Sequence, residues 1–340
     1  MNTRILNATR VNIHTVIETL SNNELVSLPT ETVYGLAGNA FSEVALAKIF
    51  AAKERPLFDP LIVHISTQPE WSLKQLADMG YISCDEIPLE QQKQLENLMN
   101  YFWPGPLTLI LPKHPAISDL VTGGLNTVAL RVPSHPVAQQ VLKALPFPLA
   151  APSANRFGHI SPTCAQDVYQ ELNGRVPYIL DGGHCQLGIE STIISCHDQE
   201  FELLRPGALT RSEIRSMLKM NIKVAKHHPA EIKAPGMLKR HYAPSKTLCL
   251  LDKKFKLKNL PQGTYSVIWI SKSLVTSDLH PQHAYFLSDD GDLNEVAKNL
   301  FKTLRVAEAD DADFIVAQVP PKHSSGLGYA VLNRLSKAAG

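Results

Sequence analysis

Short apolar runs alternate with amphipathic segments along the first two thirds of the chain. The segment VNIHTVIETL (11–20) has apolar residues at helical spacing, and ELVSLP (24–29) is typical of a short buried strand. SEVALAKIFAAK (42–53) predicts a second helix, with Ser42 at its N-cap and Pro56 beyond its end. Several predicted strands follow one another without a helix between them. We therefore expect an α/β fold built on a twisted, mixed sheet.

The pattern changes near residue 222. From there to residue 245 the sequence has no clean period and contains three prolines, and it is long for an internal loop. Beyond it, TLCLLD, YSVIWIS and DFIVAQVP predict strands, and DLNEVAKNLFKTLRVAEA and GLGYAVLNRLSKAA predict helices. We therefore expect a first domain over 1–221, a linker over 222–245 and a smaller α/β, Rossmann-like domain over 246–340.

The charges of the chain nearly cancel. The 340 residues include 33 Lys and Arg against 32 Asp and Glu, a formal net charge of +1. This balance argues against a protein that holds long nucleic acid through bulk charge, although it leaves room for a local basic patch.

Cysteine usage and hydropathy indicate the compartment. The five cysteines are scattered and form no C-x-x-C pair, as is typical of thiols in a reducing compartment. No apolar stretch is long enough to span a membrane, and no signal-peptide core follows Met1, so we expect a cytoplasmic protein without a membrane partner. The first 17 residues hold two arginines and no acidic residue, which leaves an organelle transit peptide open as an alternative.

Common catalytic signatures are missing from the sequence. No G-x-x-x-x-G-K-[ST] occurs, which excludes a Walker-type ATPase. GLGYAV (326–331) has only two glycines of a dinucleotide fingerprint and no strand after it, so we interpret it as the start of a helix. There is no H-E-x-x-H or Cys/His cluster, and we predict no metal site made by the protein alone. The absence of G-x-S-x-G argues against acyl-enzyme hydrolysis.

Polar side chains recur just beyond predicted strand ends, where α/β sheets gather ligands. LPTETVYGLAG follows the first buried strand, Arg131 ends TVALR, PSAN follows PLAA, and Arg205 ends FELLR. Each feature alone is ordinary for a turn or a strand edge. Together they supply cations, hydroxyls and small residues with few carboxylates, which suits an anionic ligand such as a nucleoside triphosphate.

The segment KERPLFDPLIVHI (53–65) adds to this set. It places two cations, a carboxylate and an imidazole within 13 residues, where a predicted helix ends and a strand begins. From the residues alone, the sequence predicts an α/β enzyme that binds phosphates and a carboxylate.

Seven segments in order resemble a known family. LPTETVYGLAGNA, KERPLFDPLIVHI, WPGPLTLIL, VALRVPSHP, APSANRFGHISPT, GIESTIIS and LRPGAL are similar to those of the YrdC-type threonylcarbamoyl-AMP synthases. APGMLKRHYAP and the tail GLGYAVLNRLSKAA resemble the long, two-domain form of that family. The resemblance therefore covers nearly the whole chain, and it implies a YrdC-like catalytic domain.

The resemblance also implies a reaction. L-threonine and bicarbonate would form N-carboxythreonine, whose carboxylate attacks the α-phosphate of ATP, giving threonylcarbamoyl-AMP and pyrophosphate. A separate tRNA threonylcarbamoyl transferase complex would then modify tRNA, so the synthase would need weak or no direct tRNA contact. No covalent enzyme intermediate is required. We expect a nucleotidyltransferase that works by positioning and charge stabilisation.

The resemblance assigns two sets of residues. The positions that match the L-threonine site are Thr32, His64, Arg131, Ala151 and Ser191. The positions that match the ATP site are Lys53, Arg55, Asp59, Thr127, Ser153, Asn155, Ser161, Arg205 and Tyr242. Arg131 would take the threonine carboxylate as a bidentate partner, a task that suits lysine less well. Lys53 and Arg55, the family's K-x-R, would meet the phosphates and carry the catalytic charge.

Tyr242 lies in the linker, which in this family folds back over the active site. The linker would then act as a lid that excludes water from a hydrolysable adenylate. We expect the second domain to position this lid. Mg²⁺ is expected with ATP and would be held mostly by phosphates and water, since no dedicated carboxylate cage is visible.

Two positions depart from the family pattern. Asp59 stands where the family commonly has asparagine, close to the expected phosphates, and our hypothesis is that it helps to hold the metal. The last predicted helix reads VLNRL, without the acidic residue that often precedes its arginine. We expect this arginine to lie far from the chemistry.

Two other functions remain open. A double-stranded-RNA-binding module on the same fold, without catalysis, would show a continuous basic face. A carbamoyl-transferring relative would carry further large domains and zinc-finger cysteines, which this sequence lacks. Pyrophosphate release from ATP, with threonine and bicarbonate omitted in turn, distinguishes the three.

Overall fold

The computed structural model describes residues 2–85, 87–197, 200–225, 234–238, 240–252, 255, 260–276, 279–321 and 326–340. Within these residues the chain forms two β-sheets and ten α-helices. The strands of the first sheet are β1 (Arg4–Asn7), β2 (Val26–Leu28), β3 (Gly35–Asn39), β4 (Ile62–His64), β5 (Leu107–Pro112), β6 (Thr127–Arg131), β7 (Leu149–Ala150), β8 (Tyr178–Asp181), β9 (Thr192–His197), β10 (Glu200–Arg205) and β11 (Ile222–Val224). The strands of the second sheet are β12 (Thr247–Leu251), β13 (Tyr265–Trp269), β14 (His283–Phe286) and β15 (Phe314–Gln318). The helices are α1 (Arg10–Ser21), α2 (Glu43–Lys53), α3 (Leu73–Asp78), α4 (Leu89–Phe102), α5 (Asp119–Thr122), α6 (Pro136–Ala144), α7 (Ala165–Leu172), α8 (Arg211–Leu218), α9 (Leu293–Ala309) and α10 (Gly326–Ala339).

The first sheet mixes parallel and antiparallel neighbours, so the predicted mixed sheet is confirmed. Its strand order is β1-β8-β2-β3-β7-β4-β6-β5-β9-β10-β11. β4 and β6 are parallel, whereas β7 runs antiparallel to β4 and β5 runs antiparallel to β6. In the parallel pair His64 stands opposite Arg131. The register therefore brings the two side chains to the same end of the sheet.

Local sequence signals explain how the chain reaches β4. The predicted N-cap of α2 is confirmed, because the Ser42 hydroxyl accepts a hydrogen bond from the amide of Ala45 at 3.3 Å. At the other end Glu54 adopts a left-handed conformation with φ of 55°, and its amide donates back to the last turn. The helix thus ends at Lys53, and the next residues turn Arg55 back toward the sheet.

Strand β3 shows tertiary packing deciding a local structure. Its sequence GLAGN has two glycines and a weak intrinsic preference for a strand. A Cβ atom on Gly38 would lie 2.9 Å from Leu25 and 3.2 Å from Ile49 of α2. Leu25 and α2 therefore leave little room for a side chain here, and pairing with β2 and β7 supplies the extended conformation.

The second sheet is entirely parallel, in the order β12-β15-β13-β14, as expected for a small Rossmann-like domain. Its core packs α9 and α10 against the sheet, and it also takes in Val33, Ile160 and Ile189 from the first domain. Val33 directly follows Thr32 in the loop after β2. The second domain therefore buries part of the loop that carries a predicted site residue.

The segment predicted as a linker, 222–245, begins with β11, which pairs in parallel with β10 and extends the first sheet. Residues 226–233 and 239 of this segment lie outside the described residues. Its described part includes Ala234 and Met237, which are buried in one apolar cluster with Ile62 and Ala129. The segment thus lies against the face of β4 and β6. Within the described residues, no helix is both long and apolar enough to cross a membrane.

Candidate active site

A small cavity lies where β4 and β6 end, beneath the described part of the linker. Its volume is about 40 Å³, which is room for only a few water molecules. All five positions assigned to L-threonine line it. Four positions of the ATP set also line it: Arg55, Ser153, Arg205 and Tyr242. Pro235 and Gly236 line it from the linker side, so movement of the linker would enlarge it.

Arg131 is held in one orientation at the end of β6. Its Nε donates to the carbonyl of Gly105 at 3.2 Å, and its Nη1 donates to the Thr32 hydroxyl at 2.9 Å. Its Nη2 lies 2.6 Å from Glu31 Oε1, and both side chains of this ion pair are about 4% exposed. The other carboxylate oxygen of Glu31 accepts from the amide of Ser134. The guanidinium plane is therefore fixed before any ligand arrives.

The hydroxyl of Thr32 takes part in a directed chain of hydrogen bonds. It accepts from Arg131 and lies 2.8 Å from the Thr30 hydroxyl, which in turn donates to the carbonyl of Val33 at 2.6 Å. The Thr30 hydroxyl also accepts from the amides of Thr32 and Val33 at 3.2 Å each, so its own position is fixed by the loop backbone. The Thr32 hydroxyl is thereby held between Thr30 and Arg131 at the cavity.

His64 is buried in β4 beside Arg131. Burial, together with the nearby charge of Arg131, lowers the pKa of His64 to about 3, so the imidazole is neutral at physiological pH. Its Nδ1 lies 3.3 Å from the carbonyl oxygen of Ile62, which fits the tautomer with the proton on Nδ1. Nε2 is then the acceptor atom of the ring.

Ser191 and Arg205 form the side of the cavity next to β9 and β10. Arg205 Nη2 donates to the Ser191 hydroxyl at 3.0 Å, and Arg205 Nε donates to the Ser191 carbonyl at 3.0 Å. The same hydroxyl lies 2.7 Å from that of Thr108 on β5. These contacts fix Ser191 from two strands, and they bring the guanidinium of Arg205 to the cavity.

Arg55 lines the cavity but is paired within the chain. Its Nη2 lies 2.8 Å from Asp59 Oδ2, with side chains that are 4% and 0% exposed. It also donates to the carbonyls of Asp59 and Pro60. Burial raises the pKa of Asp59, and the charges of Arg55 and Lys53 act against that rise. Asp59 therefore pairs with the cation that was expected to meet phosphate.

Lys53 does not line the cavity. It is 1% exposed, and its ammonium donates to the carbonyls of Ser153 and Asn155. Burial, followed by the neighbouring charge of Arg55, lowers its pKa well below the usual range. Lys53 thus holds the PSAN turn in place, and it must release these carbonyls before it can reach a phosphate.

The remaining ATP positions also lie outside the cavity. The Asn155 amide donates to the carbonyls of Arg156 and His159, inside its own loop. The Ser161 hydroxyl donates to Glu190 at 2.6 Å and is fully buried. Thr127 begins β6, at the far end of the strand from Arg131 but on the same face by strand alternation. Thr127 therefore lies at the opposite end of this face from Arg131, whereas Asn155 and Ser161 lie in the loop after β7.

Tyr242 covers the cavity from the linker. Its backbone is in the left-handed region with φ of 63°, and its side chain is 1% exposed. The ring packs against His241 at a centroid distance of 4.1 Å and against Phe301 of the second domain at 5.5 Å. A non-glycine residue held in this conformation requires support from its surroundings. Here the second domain supplies part of that support.

The expectation that the arginine of VLNRL lies far from the chemistry is wrong. Arg334 on α10 is fully buried, and its Nε lies 2.7 Å from Glu190, the residue before Ser191. Its guanidinium carbon lies 5.2 Å from the ring centre of Tyr242. The error arose because α10 is remote in sequence but packs directly behind the site.

Sequence reasoning missed three residues that shape the cavity wall: Glu31, Glu190 and Arg334. Glu31 lies within TET, so a strand-end arginine that needs a buried partner could have pointed to it. Glu190 and Arg334 are 144 positions apart, and no local pattern connects them. Only the packing of the two domains brings this pair to the site.

Among the residues that the structure describes, no group of three or more His, Cys, Asp or Glu side chains could hold a metal ion. Asp59 is the carboxylate nearest the predicted phosphate cations, and it is paired with Arg55. It fits a role as a Mg²⁺ ligand only if that pair opens.

Comparisons with known proteins match both domains. The Sua5/YciO/YrdC family model, described as telomere recombination, matches residues 18–207, and the model for the threonylcarbamoyl-AMP synthase C-terminal domain matches residues 209–340. The chain is 38% identical to threonylcarbamoyl-AMP synthase of Pyrococcus abyssi, over 93% of this chain and 91% of that protein. It is also 38% identical to the Bacillus subtilis protein of the same name, over 94% and 91%. The crystal structure of P. abyssi Sua5 complexed with L-threonine matches with a TM-score of 0.84 and 36% identity, covering 99% of this chain and 98% of that one.

Proposed function

We propose, since this chain belongs to the Sua5-type family of threonylcarbamoyl-AMP synthases, that it makes L-threonylcarbamoyl-AMP from L-threonine, bicarbonate and ATP. The adenylyl group of ATP is transferred to the carbamate and pyrophosphate is released, so the enzyme is a nucleotidyltransferase. The observation that carries this proposal is the cavity in which the fixed guanidinium of Arg131 meets Thr32, His64, Ala151 and Ser191.

Threonine binds at the end of β6 in this proposal. The hydrogen bonds to Gly105 and Thr32 and the ion pair with Glu31 hold Arg131, and its other N–H groups face the substrate carboxylate. Neutral His64 accepts a hydrogen bond from the amino acid through Nε2. A positive imidazolium would repel the ammonium form of threonine, so a low pKa at His64 suits this position.

ATP binds along the same face of the sheet, toward Thr127. Ala234 and Met237 of the linker cover Ile62 and Ala129 on this face, so they must lift before the nucleotide can enter. The phosphates then displace the internal partners of Arg55 and Lys53. Cations released in this way would bind phosphates more strongly than cations in water, because the site is largely shielded from solvent.

The reaction itself needs no protein nucleophile. The threonine amine and bicarbonate give a carbamate and water. A carbamate oxygen then bonds to the α-phosphorus while the bond between that phosphorus and the bridging oxygen breaks, and pyrophosphate leaves with the electron pair. Arg55, Lys53 and Arg205 position the phosphates and offset their charge. Mg²⁺, bound mostly through phosphates and water, would neutralise further charge on ATP.

The parts of the chain divide the work as follows in this proposal. Residues 1–221 form the catalytic domain, 222–245 form the linker that acts as a lid, and 246–340 form the second domain that holds the lid. The adenylate passes to a tRNA threonylcarbamoyl transferase complex in the cytoplasm, and the synthase makes weak or no contact with tRNA. The lid keeps water from the mixed anhydride until release.

Pyrophosphate release tests the proposed function. With ATP and Mg²⁺ present, we expect release only when both L-threonine and bicarbonate are supplied, and L-serine in place of threonine serves as the matched control. Release that is independent of threonine would contradict the proposal. Tight binding of double-stranded RNA without any release would favour the RNA-binding module instead.

A further inference from the structure

The second domain reaches the active site through a buried ion pair. Arg334 on α10 and Glu190 before β9 lie 2.7 Å apart, with side chains that are 0% and 7% exposed. A buried charge of this kind is costly to leave unpaired, so each partner dictates where the other lies. Nothing in the reaction chemistry requires this pair to touch a substrate.

Glu190 connects Arg334 to the active site. One of its carboxylate oxygens accepts a hydrogen bond from the Ser161 hydroxyl at 2.6 Å, and the other accepts one from Arg334. Its neighbour in sequence is Ser191, which Arg205 holds through two hydrogen bonds. The charge of Arg205 also acts on Glu190. If Arg334 were lost, Arg205 would be the nearest cation to which Glu190 could turn.

The same helix holds the linker. The guanidinium of Arg334 lies 5.2 Å from the centre of the Tyr242 ring, within the range of a cation–π contact. One turn further along α10, Lys337 donates to the carbonyls of Gly236 and Leu238 at 2.7 and 2.8 Å. The backbone carbonyl of Lys337 accepts from the amide of His241 at 3.1 Å. Helix α10 thus contacts the lid at four residues: Gly236, Leu238, His241 and Tyr242.

We infer that Arg334 is a positioning residue of the active site: it orients Ser161 and Ser191 through Glu190, and it supports Tyr242 of the closed lid. The inference rests on the proposed function for its kinetic consequences. It gives the second domain a part in arranging the catalytic groups, beyond anchoring the linker.

The test compares three variants of the full chain. R334M removes the charge while keeping a long side chain. R334K keeps the charge but loses the planar guanidinium group and its paired N–H donors. K272M is the matched control, because Lys272 and Asp289 form an ion pair of the same length, 2.7 Å, on the exposed surface of the same domain. For each variant, kcat and the KM values for L-threonine and ATP are measured by pyrophosphate release, with rates referred to the folded fraction.

In R334M we expect the KM for threonine to rise about tenfold and kcat to fall about tenfold, because small misplacements of catalytic groups have effects of this size or larger. R334K should recover part of both losses, and K272M should match the wild type. A lower melting temperature with unchanged kcat and KM per folded molecule would show a merely structural role, and it would overturn the inference. Kinetics of R334M equal to those of the wild type would also overturn it.

Two further measurements keep the inference testable. If R334M does not fold, the double variant R334M/E190Q removes both buried charges, and it should fold while showing the same kinetic losses; wild-type kinetics in it would overturn the inference. If the wild type itself shows no threonine-dependent release, the proposed function fails. Hydrogen exchange then decides on Arg334: faster exchange of the His241 amide in R334M than in K272M supports its role at the lid, and equal exchange contradicts it.

Discussion

The two halves of the candidate site differ in how ready they are for a ligand. The threonine half, Thr32, His64, Arg131, Ala151 and Ser191, lines one cavity, and Gly105, Thr32 and Glu31 hold Arg131 in place there. The ATP half is occupied by the chain itself. Arg55 is paired with Asp59, Lys53 with two backbone carbonyls, and Ser161 with Glu190.

The side chains of one site are therefore not all equally preorganised for their ligands. A ligand that meets side chains already in place loses less free energy to their ordering. Threonine therefore needs the lid to move but few other changes. ATP must also displace internal partners, and those partners keep the buried cations from being left uncompensated until it binds.

The largest effect should come from breaking the threonine half at Arg131. R131M leaves Glu31 buried without its cation and removes the partner of the substrate carboxylate, so we expect kcat/KM for threonine to fall about a thousandfold. R131K should lie between R131M and the wild type, because it restores charge without the bidentate fork. ATP affinity, measured by equilibrium dialysis, should change less than about threefold. An equal loss of ATP affinity would contradict the division into two halves.

The next effect concerns the loop that carries the ATP half. Glu171 on α7 lies within ion-pair distance of Arg156 and His159 of this loop and of Arg305 on α9. Burial raises the pKa of Glu171, but the hydrogen bond from His159 and the charge of Arg305 bring it down to about 2. Since the folded pKa is depressed, its stabilisation is present above the ordinary value near 4.5 and is lost as pH falls toward 2.

We therefore expect E171Q to lower the free energy of unfolding by up to about 3 kcal/mol at pH 7. The gap between wild type and E171Q should close as pH falls from about 4.5 toward 2, as followed by thermal melts at each pH. E54Q, which breaks the exposed pair of Glu54 with Arg175, is the control and should show little change. A gap that is constant with pH would rule out the charge of Glu171 as its cause.

A smaller effect should follow from opening the ATP half at Asp59. In D59N the carboxylate that competes with phosphate for Arg55 is gone, so we expect the KM for ATP to fall about threefold with an unchanged Mg²⁺ requirement; rates are referred to the folded fraction, because Arg55 is left buried without its charged partner. Steady-state pyrophosphate release over a range of Mg²⁺ concentrations measures both. A higher Mg²⁺ requirement in D59N would instead support the hypothesis that Asp59 helps to hold the metal.

The smallest effect concerns His64. Its pKa of about 3 keeps the imidazole neutral down to well below pH 5, so threonine binding should show no inflection from His64 between pH 5 and 8. Calorimetry without bicarbonate avoids the titration of that substrate, and an NMR titration of the His64 ring assigns any change. An inflection near pH 6.5 that moves with the His64 resonance would contradict the buried, neutral assignment.

Much of this architecture could be predicted from sequence because its signals are local. Ser42 caps the start of α2, and Pro56, which cannot continue a helix, follows its end. The apolar runs of β4 and β6 indicate buried strands. The residues of the threonine half came from the resemblance to the family, and the parallel register of β4 and β6 brings two of them, His64 and Arg131, to one end of the sheet.

The rest depended on tertiary packing. Glycine-rich β3 forms a strand because it pairs with β2 and β7, and its sequence alone favours no such element. Arg334 reaches Glu190 only after the two domains fold together, so its role could not be inferred from VLNRL. The sequence likewise suggested that Lys53 and Ser161 face ATP, and it gave no sign that in the free chain they would satisfy buried acceptors within the protein.

Calorimetry of L-threonine in the absence of nucleotide shows whether the threonine half is formed before ATP arrives. We expect saturable binding with one site per chain in the absence of ATP, retained in D59N and abolished in R131M. Threonine binding that appears only when an ATP analogue is present, or that is lost equally in D59N and R131M, would contradict it.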